Sequence, residues 1–475
     1  MSVVTFLGLS MIVMKFGGTS VEDASSIERV TEIIRARLFL KPVIVVSAMG
    51  KTTRKLLRAA TASAAGDSRT CASLVIDLKA RHKSEARRLC QNGREIFTRI
   101  DEYFGELGKL LEGLAILGDV PPRGLDKILS YGELISSAIV ADALAARDIH
   151  AHLVDARELI KTNDCYGAAA PIFDITNHNI WTKVAPVLDR GEVPVIQGFI
   201  GSTRSGATTT LGFEGSDYSA AIVGAALEAS DIQIWKDVSG LMTADPAMFA
   251  GARTVKLCSY AEAAELSYFG AKVLHPKAIY PAAQKNIPVH IYNSKRPEAT
   301  GTAISAEVPA CVNLIKSIAY KRPIKVLHAH AGQDQGGAGD LAPTDLIQSL
   351  LGACARQGVW PLITASSASS VVFAVDADSL GEERERDLLQ QVSRFGHARV
   401  EADKAVISLV GRELYRDTCV AGRVFRAIED LRPGIILHGT SPIVMNLVLA
   451  ESQVANVIAR LHEVFFEQID PTIFE

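Results

Sequence analysis

The stretch "MIVMKFGGTS", residues 11–20, decides how the rest of the chain is read. Its first part is short, apolar and rich in β-branched residues, the pattern of a central parallel strand buried on both faces. Gly17 and Gly18 follow at once, where backbone can approach a polyphosphate closely, and Lys15 can lay its ammonium between phosphates. Similar apolar runs recur at PVIVVSA (42–48), VPVIQGFI (193–200), IQIW (232–235) and IPVHIY (287–292). Helical patterns such as DASSIERVTEIIRARL and RGLDKILSYGELISSAIVADALAAR lie between them. Strand and helix alternating in this way predict an α/β domain with a mostly parallel sheet. Ligands of such sheets gather at the carboxyl ends of the strands, and here those ends carry KFGGTS, SAMGKTT, QGFIGS and WKDVSG.

At 475 residues the chain is too long for one ordinary core and suits two to four domains. Lys+Arg 50 against Asp+Glu 53 gives a net charge of −3, so nothing in the charge balance argues for nucleic acid or a membrane surface. The seven cysteines are scattered and never form a CxxC pair, which predicts reduced thiols in a cytoplasmic protein and no zinc site. The apolar N-terminus lacks a basic region and a small-residue cleavage site. It reads as a first strand behind a ten-residue extension, with Met1, Met11 or Met14 as the start. No other stretch approaches the roughly 20 apolar residues of a membrane helix.

After the turn-rich seam NSKRPEATGTAI the layout changes and repeats. IKVLHAH, a helix TDLIQSLLGACARQG, WPLITASS and SVVFAVD are followed by KAVISLVG, a helix TCVAGRVFRAIEDL, GIILHGTS and IVMNLVLA. Two tandem βαββ units predict a paired module without chemistry of its own. The seam predicts that the chain can be cut near residue 305 to leave a foldable first domain.

The loop "TTTLGFEGSDYSAA" (208–221) is punctuated by Gly212 and Gly215 and runs into a helix, with Ser216 and Asp217 read as its cap. SAMGKTT contains GKT, but a Walker loop needs glycine where Val45 stands. SYGELISS sets Glu133 beside Gly132 in an otherwise apolar helix, IWKDVSG ends a strand with Lys236 and Asp237, and SYFGAKVLHP places Lys272 after a glycine. His275 beside a proline reads as structural, and the HAH of His328 and His330 has no partner cluster. No metal cage is expected.

KFGGTS, VVSAMGKTT, SYGELISS, QGFIGS, TTTLG..GSDYSAA, IWKDVSG, TADP and ELSYFGAKVLHP occur in the order found in aspartokinases, and the chain resembles that family. The resemblance implies an amino-acid-kinase fold (three-layer αβα, mostly parallel sheet) over residues 11–303. Two α+β, ferredoxin-like ACT domains would follow at 313–395 and 396–475, free to interleave. It implies ATP and Mg²⁺, phosphorylation of the β-carboxylate of L-aspartate to 4-phospho-L-aspartate on the route to lysine, threonine and methionine, and a homodimer or homotetramer paired through the ACT domains. Lys15 would neutralise the transferring phosphoryl group and Asp217 would orient that lysine. Ser47, Thr53, Glu133, Phe213, Glu214, Gly215 and Ser216 match substrate positions, Glu133 meeting the α-ammonium. Gly17, Gly18, Lys236, Asp237, Met242, Lys272 and Val273, with Lys15, match nucleotide positions. Phosphoryl transfer needs positioning and charge neutralisation more than a protein nucleophile, which agrees with the residue types found.

Two positions depart from the family. Its LGRGGSD or LGREGSD loop reads LGFEGSD here, so Phe213 stands where an arginine pairs with a substrate carboxylate, and Ala247 replaces the arginine of TADPR. Three readings follow: an aspartokinase in which Arg204 or Arg54 supplies the cation, a kinase of a related amino acid, or a decayed regulatory subunit. The loop GQDQGGAGDLAPTD departs from the family's effector-binding entry, which predicts weak feedback by lysine or threonine.

Overall fold

The computed structural model describes residues 11–475 apart from 91–92, 213, 272–273, 275, 310, 332–342, 394–395 and 417. The ten-residue extension, Phe213, Lys272, Val273, His275 and most of the GQDQGGAGDLAPTD loop therefore lie outside the described residues. The chain forms two compact units, Met1–Leu241 with Lys256–Ala263 and Val273–Val308, and Met242–Val255 with Ala264–Lys272 and Pro309–Glu475.

The strands of the first unit are β1 (Ile12–Phe16), β2 (Pro42–Val46), β3 (Ala151–Val154), β4 (Lys161–Thr162), β5 (Val193–Gln197), β6 (Ile200–Thr203), β7 (Thr208–Thr210), β8 (Asp231–Lys236), β9 (Leu257–Ser259), β10 (Val289–Asn293) and β11 (Thr302–Ser305). Eight of them form one sheet in the order β3-β5-β2-β1-β8-β10-β11-β9, and β4-β6-β7 form a small second sheet. Every pairing from β3 through β10 is parallel, and β11 returns antiparallel against β10. The five predicted apolar runs all lie in this sheet, and β1 and β2 are buried along their whole length. Continuous apolar runs identify such central strands well. They miss β3, β9 and β11, which are short and partly exposed.

Helices α1 (Ala24–Arg35), α2 (Thr52–Ala64), α3 (Ser68–Leu89), α4 (Arg94–Leu117), α5 (Pro122–Ala145), α6 (Ala156–Leu159), α7 (Phe173–Asp189), α8 (Gly215–Leu227), α9 (Tyr260–Tyr268) and α10 (Pro276–Gln284) flank the sheets. α7, α8 and α10 pack together beside β1, β2 and β8, while α5 packs with α2 and α4 beside β2, β3 and β5. This is the three-layer arrangement expected. Gly224 lets α8 lie on the sheet, since a Cβ there would stand 2.6 Å from Ile232. The expectation about membrane helices needs one correction. Among the described residues α5 is long and apolar enough to cross a membrane, but it is buried, as a core helix is.

The second unit holds β12 (Ile315–Ala331), α11 (Pro343–Arg356), β13 (Pro361–Ser366), β14 (Ser370–Asp376), α12 (Glu382–Val392), β15 (Gly396–Gly411), α13 (Thr418–Ala427), β16 (Ile435–Ser441), β17 (Val444–Ala450) and α14 (Val454–Phe466). Its sheet runs β13-β14-β12-β15-β17-β16 and is antiparallel throughout. The two βαββ repeats are present. Their long strands are shared: β14 pairs only with the later part of β12, β17 only with the later part of β15, and β12 and β15 pair along almost their full lengths. Leu327, Leu346, Leu350, Phe373 and Leu388 form the core of the first repeat.

The segment Met242–Val255 belongs to this unit despite its place in the sequence. Ser317 Oγ donates to the Met242 carbonyl at 2.7 Å, Ile318 N–H donates to the Thr243 carbonyl at 2.8 Å, and Tyr320 donates to Asp245 at 3.0 Å. Thr243 and His462 share a hydrogen bond of 2.9 Å. A cut near residue 305 would remove all of these partners from Met242–Val255.

Candidate active site

Three parallel strands of the first unit end side by side. Lys15 in β1 lies opposite Val45 in β2 and Ile234 in β8. Gly17 N–H donates to the Trp235 carbonyl at 2.9 Å, and Ser47 N–H donates to the Phe16 carbonyl at 3.1 Å, so the loops leave the sheet together. Gly18 must be glycine for lack of room: a Cβ there would stand 2.8 Å from the Ala48 carbonyl oxygen.

Asp217 is fully buried in the first turn of α8 and lies between two ammonium groups. Lys15 Nζ is 2.5 Å from Oδ1 and Lys236 Nζ is 2.9 Å from Oδ2. Burial would raise the Asp217 carboxyl, but Lys15 and Lys236 outweigh it and hold it at about 2. Burial also lowers Lys15, against the opposing pull of Asp217. In Lys236 burial is overcome by Asp217 and Glu214, and its pKa rises. Two ammonium groups around one carboxylate leave a formal positive charge where the glycine loops open. The predicted cap differs: Glu214, in a left-handed conformation at φ 57°, is the N-cap of α8 and makes no side-chain capping bond. Ser216 and Asp217 stand inside the first turn instead, where their side chains join the site.

A second polar group lies beside the first. Glu133, on α5, is 4% exposed, and its Oε1 accepts from Ala48 N–H at 3.1 Å. Its Oε2 is buried without a hydrogen-bond partner, and burial pushes the carboxyl up to about 8. Gly132 allows this approach, since a Cβ there would meet the Ala48 Cβ at 2.8 Å and Thr52 at 3.5 Å. Thr52 is buried with its hydroxyl unpartnered, whereas Thr53 is half-buried. Ser47 Oγ donates to Ser216 Oγ at 2.8 Å, and Ser216 packs so closely on Gly198 that a Cβ there would stand 2.6 Å away. Unpartnered buried polar groups are rare, and the Oε2 of Glu133 fits a polar ligand with an ammonium group.

The structure therefore brings together Lys15, Gly17, Gly18, Ser47, Glu133, Ser216, Asp217 and Lys236. Gly215 opens α8 against Leu211, and Asp237 is exposed just past β8. Met242 lies in the second unit, and Arg54 and Arg204 are exposed. Sequence reading missed Thr52, the Lys236–Asp217 pair and Gly198, although a glycine at a strand end was a usable sign of close packing. Among the described residues no three His, Cys, Asp or Glu side chains group as metal ligands. A cavity of about 580 Å³ in the second unit, lined by His328, Arg399, Glu401, Lys404 and Arg432 among others, contains none of the motif residues.

A parallel sheet with a lysine–aspartate–lysine cluster and glycine loops at its carboxyl edge defines a small-molecule kinase, and the chain belongs to the amino acid kinase family, which it matches over residues 10–293. Within that family it is similar to aspartokinases over nearly its full length. It is 32% identical to aspartokinase 1, chloroplastic, of Arabidopsis thaliana, over 96% of this chain and 80% of that one. It is 31% identical to lysine-sensitive aspartokinase 3 of Escherichia coli K12, over 96% and 99%. The crystal structure of E. coli aspartokinase III in complex with aspartate and ADP (R-state) superposes with a TM-score of 0.86 at 30% identity, covering 96% of this chain and 100% of that one. The form with lysine and aspartate (T-state) gives 0.77. The chain is accordingly an aspartate kinase, a phosphotransferase with a carboxyl group as acceptor.

Proposed function

We propose that aspartate lies with its α-ammonium on Glu133 and its β-carboxylate toward Lys15, and that the phosphates of ATP lie over Gly17, Gly18, Lys15 and Lys236. The observation that carries this reading is the unpartnered Oε2 of Glu133 next to Ala48, within a shell that also holds the Ser47–Ser216 pair. A bound ammonium would ionise that carboxyl and satisfy it. The γ-phosphoryl group passes from the β-phosphate oxygen to a carboxylate oxygen of aspartate, and ADP leaves. Lys15 neutralises charge on the transferring group, and Asp217 keeps Lys15 and Lys236 in place. Asp217 already faces two lysine ammonium groups, so Mg²⁺ would be held chiefly by the phosphates, as small octahedral ions often are. Glu214, Gly215 and Thr52 line the amino-acid side. Asp237, Met242, Lys272 and Val273 remain nucleotide candidates from the family resemblance.

We further assign the catalytic domain to residues 11–303, apart from Met242–Val255, which groups with the second unit, and two interleaved ACT-type domains to the C-terminal part, pairing copies of the chain into a dimer or tetramer. The seven free cysteines support a reducing, cytoplasmic setting. Trapping the acyl phosphate as a hydroxamate, with aspartate and a panel of amino acids, tests the substrate. Product with aspartate is expected; product only with another amino acid would refute the reading. Phe213 stands where the family resemblance places a carboxylate-binding arginine, so Phe213→Arg should improve kcat/KM for aspartate.

A further inference from the structure

Asp126 takes no part in the chemistry described above, yet it is 1% exposed and surrounded by donors. Its Oδ2 accepts from Thr210 N–H at 2.8 Å and from Gly167 N–H at 3.0 Å. Its Oδ1 accepts from Thr210 Oγ1 at 2.9 Å and from Gly167 N–H at 3.1 Å. Ala169 N–H donates to the Thr210 carbonyl at 2.9 Å, so Thr210 is held from both sides. Thr210 is the last residue of β7, directly before the loop that leads into α8.

Leu211 N–H donates to the Phe199 carbonyl at 2.8 Å, and Phe199 itself is left-handed at φ 69°. Gly212 (φ 91°) and Glu214 (φ 57°) then turn the chain into α8 and deliver Ser216 and Asp217. Asp126 also shares a helix with Glu133, about two turns earlier, and residues at that spacing project from the same face. One rigid helix thus carries both Glu133, the proposed ammonium ligand, and the anchor of the loop that closes the other side of the amino-acid site.

We propose that Asp126 is a positioning residue for the amino-acid substrate: its buried carboxylate ties Thr210, at the end of β7, to the helix that carries Glu133, and so sets the distance between Glu133 and Ser216 on the amino-acid side of the site. The inference rests on the placement of the amino acid beside Glu133. The nucleotide half is held mainly by β1 between β2 and β8 and by the contacts of Lys15 and Lys236 with Asp217 inside α8, further along the chain from Thr210. Loss of Asp126 therefore acts more on aspartate than on ATP.

Steady-state kinetics of the full-length chain tests this with Asp126→Ala, Asp126→Asn, Thr210→Val and the reference Glu133→Gln. Asp126→Ala is expected to raise KM for aspartate about tenfold or more and leave KM for ATP within about twofold, as loss of charge-assisted bonds at one half of a site implies. Asn keeps an acceptor for one main-chain N–H, and Val removes only the hydroxyl donor, so both should be intermediate. They decide the matter if Asp126→Ala does not fold. A general loss of structure would lower the melting temperature and shift both KM values together, and that result would overturn the proposal. So would an unchanged aspartate KM in Asp126→Asn and Thr210→Val while Glu133→Gln raises it. If Glu133→Gln itself leaves the aspartate KM unchanged, the underlying placement of the substrate fails, and this inference with it.

Discussion

Replacing Glu133 by glutamine should weaken the enzyme and strengthen the fold at once. Glutamine keeps the acceptor that meets Ala48 N–H but carries no charge toward an ammonium group. A charge-assisted bond of that kind contributes about 1.5–3 kcal/mol, so KM for aspartate should rise roughly 10- to 150-fold with KM for ATP little changed. The opposite effect on stability follows from burial. A carboxyl raised from 4.5 to about 8 in the folded chain favours folding fully only below pH 4.5, and loses that contribution as pH rises through 8. Above pH 8 the liability is on the order of 5 kcal/mol, at about 1.36 kcal/mol per pH unit. Ligand-free Glu133→Gln should therefore melt several degrees above wild type at pH 8.5, with the gap closing toward pH 5. In wild type the aspartate KM should fall as pH rises from 6 to 8, because Glu133 must ionise to hold the ammonium; in the variant that dependence should flatten. Calorimetry in buffers of different ionisation heat should show close to one proton released when aspartate binds at pH 7. An unchanged aspartate KM, or a variant that melts no later than wild type at pH 8.5, would refute the reasoning.

Lys15→Ala should fold and bind yet lose two or more orders of magnitude in kcat, measured by ADP release, since its charge acts mainly on the transition state. Asp217→Asn should also lose activity, and in addition should melt lower by an amount equivalent to about 3–5 kcal/mol, because two buried lysines lose their common partner. Gly18→Ala drives a Cβ against a backbone oxygen, so KM for ATP should rise about tenfold or more while KM for aspartate changes less; equal shifts would place the clash outside the nucleotide half. Truncation after residue 305 should lower the melting temperature or cause aggregation in light scattering, because Met242–Val255 loses Ser317, Tyr320 and His462; a stable, monodisperse fragment would contradict this.

What the sequence by itself determined was local. Apolar runs such as IVMKF and PVIVV could be read as central strands because burial on both faces leaves no polar alternation. Gly17 and Gly18 marked a close approach, Glu133 stood out as a charge in an apolar helix, and Lys15 and Asp217 stood out at a strand end and a helix entry. The order of these motifs was enough to show the aspartokinase resemblance. Only the tertiary structure decided that Lys236 shares Asp217 with Lys15, that Thr52 rather than Thr53 is buried beside Glu133, and that Met242–Val255 belongs with the C-terminal sheet. It alone shows Asp126, which in sequence is one more acid on a helix, meeting Gly167 and Thr210. The physical reason is range. A residue's strand or turn preference is set by its near neighbours, whereas burial, ion pairing and the resulting pKa depend on which distant segments the sheet brings into contact.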